Sequence, residues 1–424
     1  MYKLSLIDKE NNLHFVNYDQ HTSKLTLLDG TPAVDWASYP HGLTPVDWSK
    51  NKHYVATSPD SPTSKSPHIK RLKIQMGLGC NYSCSYCLQG AQIHKAAASN
   101  TSDVIQFLEN IDEWLVPDAL QKIEIWGGEP LLYWKKILEL VPPLKLKYPD
   151  VQFSMITNGT LLTKEKVDQL YDWNFRIAIS HDGPGQSIRG ADPFKNKQIF
   201  EAITYAYEKF GSTLFFNAVL TSNNCDVDVI IDWFKGYFPD CNVGFEGVVH
   251  DYNGKEESKF TVEKLEKFSL ELVQKLISGS AMRSPTFVSK MRRILDNFVL
   301  ERPSEVIFQK CGMDQEDQIA VDLKGNVTTC QNTGGNGEHK IGHVKEFDKI
   351  ALNTSYHWSI RKECSACPVL QLCQGGCMYQ TGENWVNSCN AEFYYNMAFF
   401  AAALYFITGQ LLVGYDGNII RPTV

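Results

Sequence analysis

The middle of the chain alternates short apolar runs with longer amphipathic segments, and this alternation restricts the fold more than any other feature. Segments with the length and spacing of helices, such as IQFLENIDEWL and KEKVDQLYDW, separate the apolar runs. Such a βα alternation predicts a parallel sheet with helical crossovers. The six strand-like runs are LKIQMGL (72–78), KIEIWG (122–127), FSMITNG (153–159), FRIAIS (175–180), STLFFNAVL (212–220) and NVGFEGVV (242–249).

Six βα units predict an α/β fold built on a partial (β/α)6 barrel similar to a TIM barrel, with functional groups at the C-terminal ends of the strands. The start of the chain forms short β-rich runs and then a polar, linker-like stretch, whereas the region beyond residue 305 has short strands and dense cysteines. The predicted domains are a β-rich extension for peptide, leader or partner contact (1–66), the barrel core (67–300), a small cysteine-rich domain (301–395) and a C-terminal helix and tail (396–424).

Charge and hydropathy argue against two classes of partner. The net charge of -7 gives no electrostatic attraction to nucleic acid or anionic lipid. The N-terminus lacks the layout of a signal peptide, and the most apolar stretch, Met397–Ile407, is shorter than the roughly 20 residues of a membrane span. We therefore predict a cytoplasmic protein without nucleic-acid or membrane partners, in which this stretch is a buried helix.

Three of the twelve cysteines follow the first strand-like run in the sequence GLGCNYSCSYCLQG. Cys80, Cys84 and Cys87 have the spacing C-x3-C-x2-C, so three thiolates on one loop can hold three irons of a cubane cluster. The fourth iron is then free to bind a small molecule. The alternative is a zinc knuckle, which needs a fourth nearby ligand; His94 is not at a usual zinc-ligand spacing.

This loop resembles the radical S-adenosylmethionine (SAM) superfamily, in which the last cysteine follows an aromatic residue, here Tyr86. The motif GGEP at the end of the second strand, with Gly127, Gly128 and Glu129, strengthens the resemblance. It implies that this motif binds the methionine amino group, because glycines let the backbone approach a ligand and a carboxylate pairs with an ammonium. A simple turn is the alternative for GGEP.

The resemblance extends to the ends of the third and fourth strands, in TNG (157–159) and SHDGP (180–184). It implies that Asn158 and Ser180 bind the ribose or carboxylate of SAM and that Arg189 pairs with the methionine carboxylate. A turn or cap role is the alternative for the polar residues of these motifs.

Seven cysteines lie between residues 311 and 389, in a pattern that resembles a SPASM domain, the auxiliary-cluster domain of peptide-modifying radical SAM enzymes. The resemblance implies two auxiliary [4Fe–4S] clusters and hence three clusters in all. Two zinc sites are the chemical alternative. The implied ligands are Cys364, Cys367, Cys373 and Cys389 for one auxiliary cluster and Cys311, Cys330 and Cys377 for the other.

The second of these sets lacks one cysteine. Fully ligated relatives have a further cysteine shortly after the first, but CGMDQEDQIAVD supplies Asp314, Glu316 and Asp317 instead. We expect an open or exchangeable iron site rather than ligation by Asp317, because a hard oxygen ligand suits this iron less well than sulfur.

The combined resemblance implies a maturase that abstracts hydrogen from a residue of a ribosomally synthesised precursor peptide, leading to crosslinking, epimerisation, excision or oxidation. Glu246 and Asp251 are candidate bases, with exposed surface positions as the alternative for both. A flavodoxin or ferredoxin is the expected reductant. The leader is bound either by the N-terminal extension or by a separate recognition protein.

Two other functions compete with this prediction. An anaerobic sulfatase-maturating enzyme, which forms formylglycine, has an aspartate directly after the second SPASM cysteine, whereas this chain has Gln331. A non-catalytic iron–sulfur electron carrier would need no SAM pocket, so cleavage of SAM by the reduced protein distinguishes it from an enzyme.

Overall fold

Short strands occupy the start of the chain. The computed structural model describes residues 1–34, 46–250 and 259–423. The first strands pair in order, as an antiparallel meander, and the fourth stands apart from them. They are β1 (Tyr2–Ile7), β2 (Leu13–Asp19), β3 (Lys24–Thr26) and β4 (Thr63–Ser64).

Six parallel strands follow and form the centre of the fold. They are hydrogen-bonded in sequence order, each to the next, as the βα alternation predicts. The predicted α/β fold class is thereby confirmed. The strands are β5 (Arg71–Gln75), β6 (Lys122–Trp126), β7 (Gln152–Thr157), β8 (Phe175–Ser180), β9 (Phe215–Leu220) and β10 (Asn242–Val248).

Helices cross over between these strands, and local sequence signals set their ends. The first begins with a capping box: the Asn100 side chain accepts from the Asp103 backbone N–H, and the Asp103 side chain accepts from the Asn100 backbone N–H. The fourth begins at Asn196, whose side chain accepts from two backbone N–H groups, and is capped by Gly211 at positive φ. The crossover helices are α1 (Thr101–Asn110), α2 (Trp134–Lys147), α3 (Lys164–Asp172), α4 (Lys197–Phe210) and α5 (Val227–Tyr237).

The cysteine-rich part of the chain extends the central sheet. After helices α6 (Val262–Ile277) and α7 (Pro285–Val299), strand β11 (Gln318–Asp322) pairs in parallel with β5. Strands β12 (Asn326–Thr328) and β13 (Lys340–His343) then add antiparallel, which makes nine strands in the order β10-β9-β8-β7-β6-β5-β11-β12-β13. The cysteine-rich segment is therefore continuous with the barrel sheet through β11.

The last elements tie the chain's two ends together. The remaining elements are β14 (Ala351–Leu352), which pairs with β4, α8 (Lys362–Ser365), α9 (Leu370–Cys373), α10 (Gly382–Thr408) and β15 (Leu411–Asp416). Strand β15 pairs antiparallel with β1, with Lys3 opposite Asp416. The boundary predicted at residue 395/396 falls inside α10. The apolar stretch from Met397 lies in this helix with most of its side chains buried, and no helix in the described ranges is long and apolar enough to cross a membrane.

Candidate functional site

The three cysteines of the first motif lie on the loop that follows β5, at the C-terminal end of the strand. All three thiols are half-buried. Burial, together with the neighbouring charges of Cys87 and Cys80, raises the pKa of the Cys84 thiol to about 11. The backbone N–H of Tyr82 donates to Cys80 Sγ at 3.4 Å. The three sequence-predicted thiols thus lie on one loop.

The glycine-rich motif after β6 lies directly against this cysteine loop. Gly128 N–H donates to Gly77 O at 3.1 Å, and Glu129 N–H donates to Gly79 O at 3.0 Å. A Cβ atom on Gly128 would stand 2.3 Å from Leu78 O, a distance no side chain tolerates. The two loops thus require glycine for their mutual packing, a reason for GGEP that sequence reasoning did not supply.

Glu129 has a structural role that the sequence did not reveal. Its carboxylate is buried, with 1% exposure, and burial raises its pKa. Oε1 accepts from Leu131 N–H at 3.0 Å and Thr157 Oγ1 at 2.7 Å, and Oε2 accepts from Asn158 N–H at 2.7 Å. Glu129 therefore joins the ends of β6 and β7. Since each carboxylate oxygen has two acceptor directions, Oε2 retains one for a ligand.

Tyr86, Asp182 and Arg189 form a buried charged group beside the cysteine loop. Tyr86 Oη donates to Asp182 Oδ2 at 2.7 Å, and Arg189 Nη1 contacts both Tyr86 Oη and Asp182 Oδ1, the latter at 3.3 Å. Asp182 also accepts from Val219 N–H at 3.0 Å. The guanidinium predicted to meet a methionine carboxylate is thus anchored by a partner within the protein.

Arg189 nevertheless keeps a free donor. Its Nε is buried and has no acceptor among the described residues. Its charge lowers the pKa of the Cys84 thiol, against the effect of burial, so the side chain is near the three thiols. A buried cationic donor beside three soft thiolates fits a cluster that carries an anionic chelating ligand.

The two other predicted SAM-pocket residues differ in how they are used. Asn158 Nδ2 donates to Asn81 Oδ1 at 2.8 Å, and Asn158 Oδ1 accepts from Thr160 N–H at 3.0 Å. Its side chain therefore holds the start of the loop after β7 against the cysteine loop, in line with the turn alternative. Ser180 ends β8 and is half-buried.

The seven C-terminal cysteines fall into two groups, and within each group the thiols influence one another's pKa. Cys377 and Cys311 both raise the pKa of Cys330, which burial raises first, to about 12. Burial also raises the pKa of Cys373 strongly. The charge of Glu392 and then those of the other three thiols of its group raise this pKa as well. The two groups of neighbouring thiols are Cys311, Cys330 and Cys377, and Cys364, Cys367, Cys373 and Cys389.

The acidic loop that replaces the eighth cysteine has its carboxylates directed to different partners. Asp317 Oδ2 pairs with Lys70 Nζ at 2.9 Å, and Glu316 pairs with Lys52 at 2.8 Å. Asp314 is buried; Oδ2 accepts from Gln309 N–H at 3.0 Å, and Oδ1 has no partner in the part of the chain that the structure describes. Asp317 thus already has a cationic partner.

Gln331 and Glu246 are the residues that bear on the choice of base. Gln331 Oε1 accepts from the buried Lys73 Nζ at 3.0 Å, which directs this amide towards β5. Glu246 is exposed on β10, and its charge raises the pKa of both Arg189 and Lys310. Its charge therefore acts on both the Tyr86–Asp182–Arg189 group and the loop before Cys311. The other candidate, Asp251, lies outside the described residues.

Comparisons with known proteins point to one superfamily. Residues 74–234 match the family model described as the radical SAM superfamily. The radical SAM cyclopropyl synthase TigE of Paramaledivibacter caminithermalis is 22% identical over 73% of this chain and 68% of that protein. A cysteine-type anaerobic sulfatase-maturating enzyme of Clostridium perfringens is 22% identical over 70% of this chain and 86% of that enzyme.

A solved structure shares the fold. Native anSMEcpe with bound AdoMet and the Cp18Cys peptide superposes with a TM-score of 0.57 at 19% identity, covering 80% of this chain and 99% of that one. The sheet, the three-thiol loop and the matched segment together define a radical SAM domain. The chain therefore carries a radical SAM domain, and it is similar over most of its length to a radical SAM cyclopropyl synthase and to anaerobic sulfatase-maturating enzymes. A radical SAM domain implies SAM and one [4Fe–4S] cluster as cofactors.

Proposed function

We propose that the chain is a peptide maturase that removes a hydrogen atom from a residue of a ribosomally synthesised precursor peptide. The observation that carries the proposal is the packing of the three-thiol loop against the GGEP loop, with the free donor of Arg189 beside them. The peptide substrate is supported by the similarity to a structure that contains a bound peptide.

Cys80, Cys84 and Cys87 would hold the first cluster, and Glu129, Arg189 and the backbone of Gly127 and Gly128 would hold SAM. When bound, these cofactors supply the 5′-deoxyadenosyl radical that takes hydrogen from the substrate. Within the protein, Glu129 orients the ends of β6 and β7, and the buried ion pair of Arg189 with Asp182 fixes the guanidinium. The remaining predicted SAM contacts, Tyr86, Asn158 and Ser180, would complete the pocket at the same end of the sheet.

Two auxiliary clusters complete the proposed cofactor set. The grouping of the C-terminal thiols supports ligation of one by Cys364, Cys367, Cys373 and Cys389 and of the other by Cys311, Cys330 and Cys377. The pairing of Asp317 with Lys70 supports an open or exchangeable iron at the second cluster, since this carboxylate already balances a cation. A flavodoxin or ferredoxin would reduce the enzyme in the cytoplasm, and a separate protein or the N-terminal strands would bind a leader.

Glu246 is the base we favour for a proton released from the substrate. Its carboxylate is exposed and its charge acts on Arg189, which supports a place for it beside the proposed SAM site. Formation of formylglycine is the second candidate function, favoured by the similarity to the C. perfringens enzyme. It would need a base other than Gln331, whose amide has no carboxylate and is bound by Lys73.

The test is anaerobic incubation of the reduced, reconstituted protein with SAM and the peptides encoded beside its gene. Release of 5′-deoxyadenosine together with a mass change in one peptide is the expected result. SAM cleavage with a sulfatase-derived peptide as the only altered substrate would favour formylglycine formation. Absence of SAM cleavage would instead leave an iron–sulfur electron carrier and overturn the proposal.

A further inference from the structure

Asn332 contacts three segments that the proposed function assigns to different cofactors. It lies two residues after Cys330, inside the turn that Thr333 N–H closes by donating to Cys330 O at 3.1 Å. Its side-chain Oδ1 accepts from Gln89 Nε2 at 3.0 Å and from Trp126 Nε1 at 3.2 Å. One residue of the auxiliary-cysteine segment is thus hydrogen-bonded to the first cysteine loop and to the strand that leads into GGEP.

Both partners of Asn332 stand directly next to the SAM site. Gln89 is buried and lies two residues after Cys87, and its Nε2 also reaches Gly127 O at 3.3 Å. Trp126 is the last residue of β6 and immediately precedes Gly127. The Asn332 oxygen therefore orients the amide that contacts the first glycine of the motif. A shift of this oxygen changes the position of both loops that would hold SAM.

The segment around Asn332 is anchored on both sides, so it transmits a displacement rather than absorbing it. Gln75 Nε2, at the end of β5, donates to Gln331 O at 2.8 Å and to Thr333 O at 2.9 Å. Further along, Asn336 N–H donates to Lys95 O at 2.9 Å. Because these backbone contacts fix the segment against the sheet, a cluster bound at Cys330 would hold Asn332 in place and, through it, Gln89 and Trp126.

We propose that Asn332 is a positioning residue that couples the auxiliary site at Cys330 to the affinity for SAM. The inference rests on the proposed function, which supplies both sites. Asn332 acts through Gln89 and Trp126 and does not itself touch SAM. Since coupling between two binding sites is reciprocal, filling either site makes the other bind its ligand more tightly. A protein without its auxiliary cluster is therefore a weaker SAM binder even when its first cluster is intact.

The experiment measures the SAM dissociation constant of the reconstituted protein by anaerobic equilibrium dialysis, with iron content measured in parallel. Asn332→Leu removes the acceptor and should weaken SAM binding about tenfold, within the range of coupling between two sites, with all iron retained. Asn332→Asp keeps an acceptor oxygen and should bind nearly as the wild type does. Asn336→Ala is the matched control. The Asn336 side chain belongs to the same segment and donates to Ala96 O at 3.4 Å, so removing this bond should leave SAM affinity unchanged.

A double-mutant cycle separates coupling from a merely local effect. Cys330→Ala should weaken SAM binding in the wild-type background and have little further effect in the Asn332→Leu background. Additive losses, or an Asn332→Leu variant with wild-type affinity, would overturn the inference while leaving the proposed function intact. If Asn332→Leu does not fold, Gln89→Leu removes the same bond from the other side, together with the contact to Gly127 O, and must give at least the same loss. Failure of the wild type to bind SAM would overturn both proposals.

Discussion

The two cysteine-bearing regions of this chain are built in opposite ways. Around Cys80, Cys84 and Cys87 the thiols are half-buried on a single loop, and the strands beneath them are complete without those side chains. Among the C-terminal cysteines, Cys330 and Cys367 belong to the main hydrophobic core, and Cys364 belongs to a small second core with Ile307, Trp358 and Leu370.

This difference indicates what each metal site contributes. Backbone hydrogen bonds to the GGEP loop position the first loop, so a cluster bound there would supply chemistry without being needed for the fold. Three of the seven C-terminal thiols occupy core positions, in a segment with short helices and strands, so clusters bound there would contribute to folding. The predictions below test this contrast, from the largest expected effect to the smallest.

The largest effect is expected from replacing Cys80, Cys84 and Cys87 with alanine together. SAM cleavage should be abolished, because no other group in the first loop can hold the cluster. The iron of the C-terminal sites and the melting temperature should change little. Product analysis by liquid chromatography and iron assay check both parts. Retained cleavage activity would refute the role assigned to this loop.

Cys373→Ala should have the opposite effects on C-terminal iron content and melting temperature. Its thiol is surrounded by the other three of its group, so its loss should release about four irons and lower the melting temperature of the protein. Thermal unfolding and iron content give the measurement, with Cys225→Ala as a control at a thiol outside both groups. Equal melting temperatures for the Cys373 and triple variants would show that the contrast between the two regions is wrong.

Glu129→Ala should weaken SAM binding by about 1.5–3 kcal/mol, roughly tenfold to a hundredfold, through loss of a charge-assisted contact. Iron content should stay the same. Because Glu129 also ties β6 to β7, Thr157→Val serves as the control, since it removes one of the same hydrogen bonds without removing the carboxylate. If Thr157→Val weakens SAM binding as much as Glu129→Ala does, the carboxylate acts only through the fold.

Two fully buried histidines should respond differently to acid. His181 Nε2 is paired with Asp192 at 3.1 Å, which opposes the effect of burial on its pKa. His357 lies in the C-terminal region, stacked on Tyr54 at 4.3 Å, and burial lowers its pKa to about 4. The neutral His357 ring stabilises the fold fully above its unfolded-state pKa of 6.5, and this stabilisation is lost as the pH falls through its folded-state pKa.

The wild type should therefore lose about 2 kcal/mol of unfolding free energy at His357 between about pH 7 and pH 5. His357→Phe keeps a ring in the stack and removes the titration, so its stability should fall less over the same range. Urea unfolding at several pH values gives the comparison. Parallel pH profiles for the two proteins would exclude His357 as the acid-sensitive group.

The smallest effect is expected from Asp317→Asn. Because Asp317 pairs with Lys70, its replacement should leave the electron paramagnetic resonance spectrum of the auxiliary clusters unchanged, recorded in the variant without the first cluster. An added thiol or the substrate peptide should shift that spectrum if the iron is open. A spectrum that moves only with Asp317→Asn would make this aspartate the ligand.

The sequence was most informative about features that depend on residues close together in the chain. Strands β6 to β8 lie within a residue or two of the predicted apolar runs, because each run must be buried in a parallel sheet. The three cysteines of the first loop are neighbours in sequence and therefore also in space. The fold class and the radical SAM family could both be inferred from such local patterns.

Contacts between distant segments could not be inferred in this way. Gln89 and Asn332 are 243 residues apart and carry side chains that occur in any loop, so no spacing links them. The bonds of Glu129 to Thr157 and Asn158 depend on β6 and β7 becoming neighbours, and the pairing of Asp317 with Lys70 depends on β11 joining β5. These contacts decide which predicted side chains are free for a ligand.

The pairing of β1 with β15 has a consequence for the order of events during synthesis. Strand β1 leaves the ribosome early and can pair with β2, but its other edge has no partner until β15 emerges near the other end of the sequence. An unpaired strand edge is a site for association with other chains. A nascent chain stalled before residue 411 should thus be more prone to aggregate than the finished one, and a chaperone would be needed most during that interval.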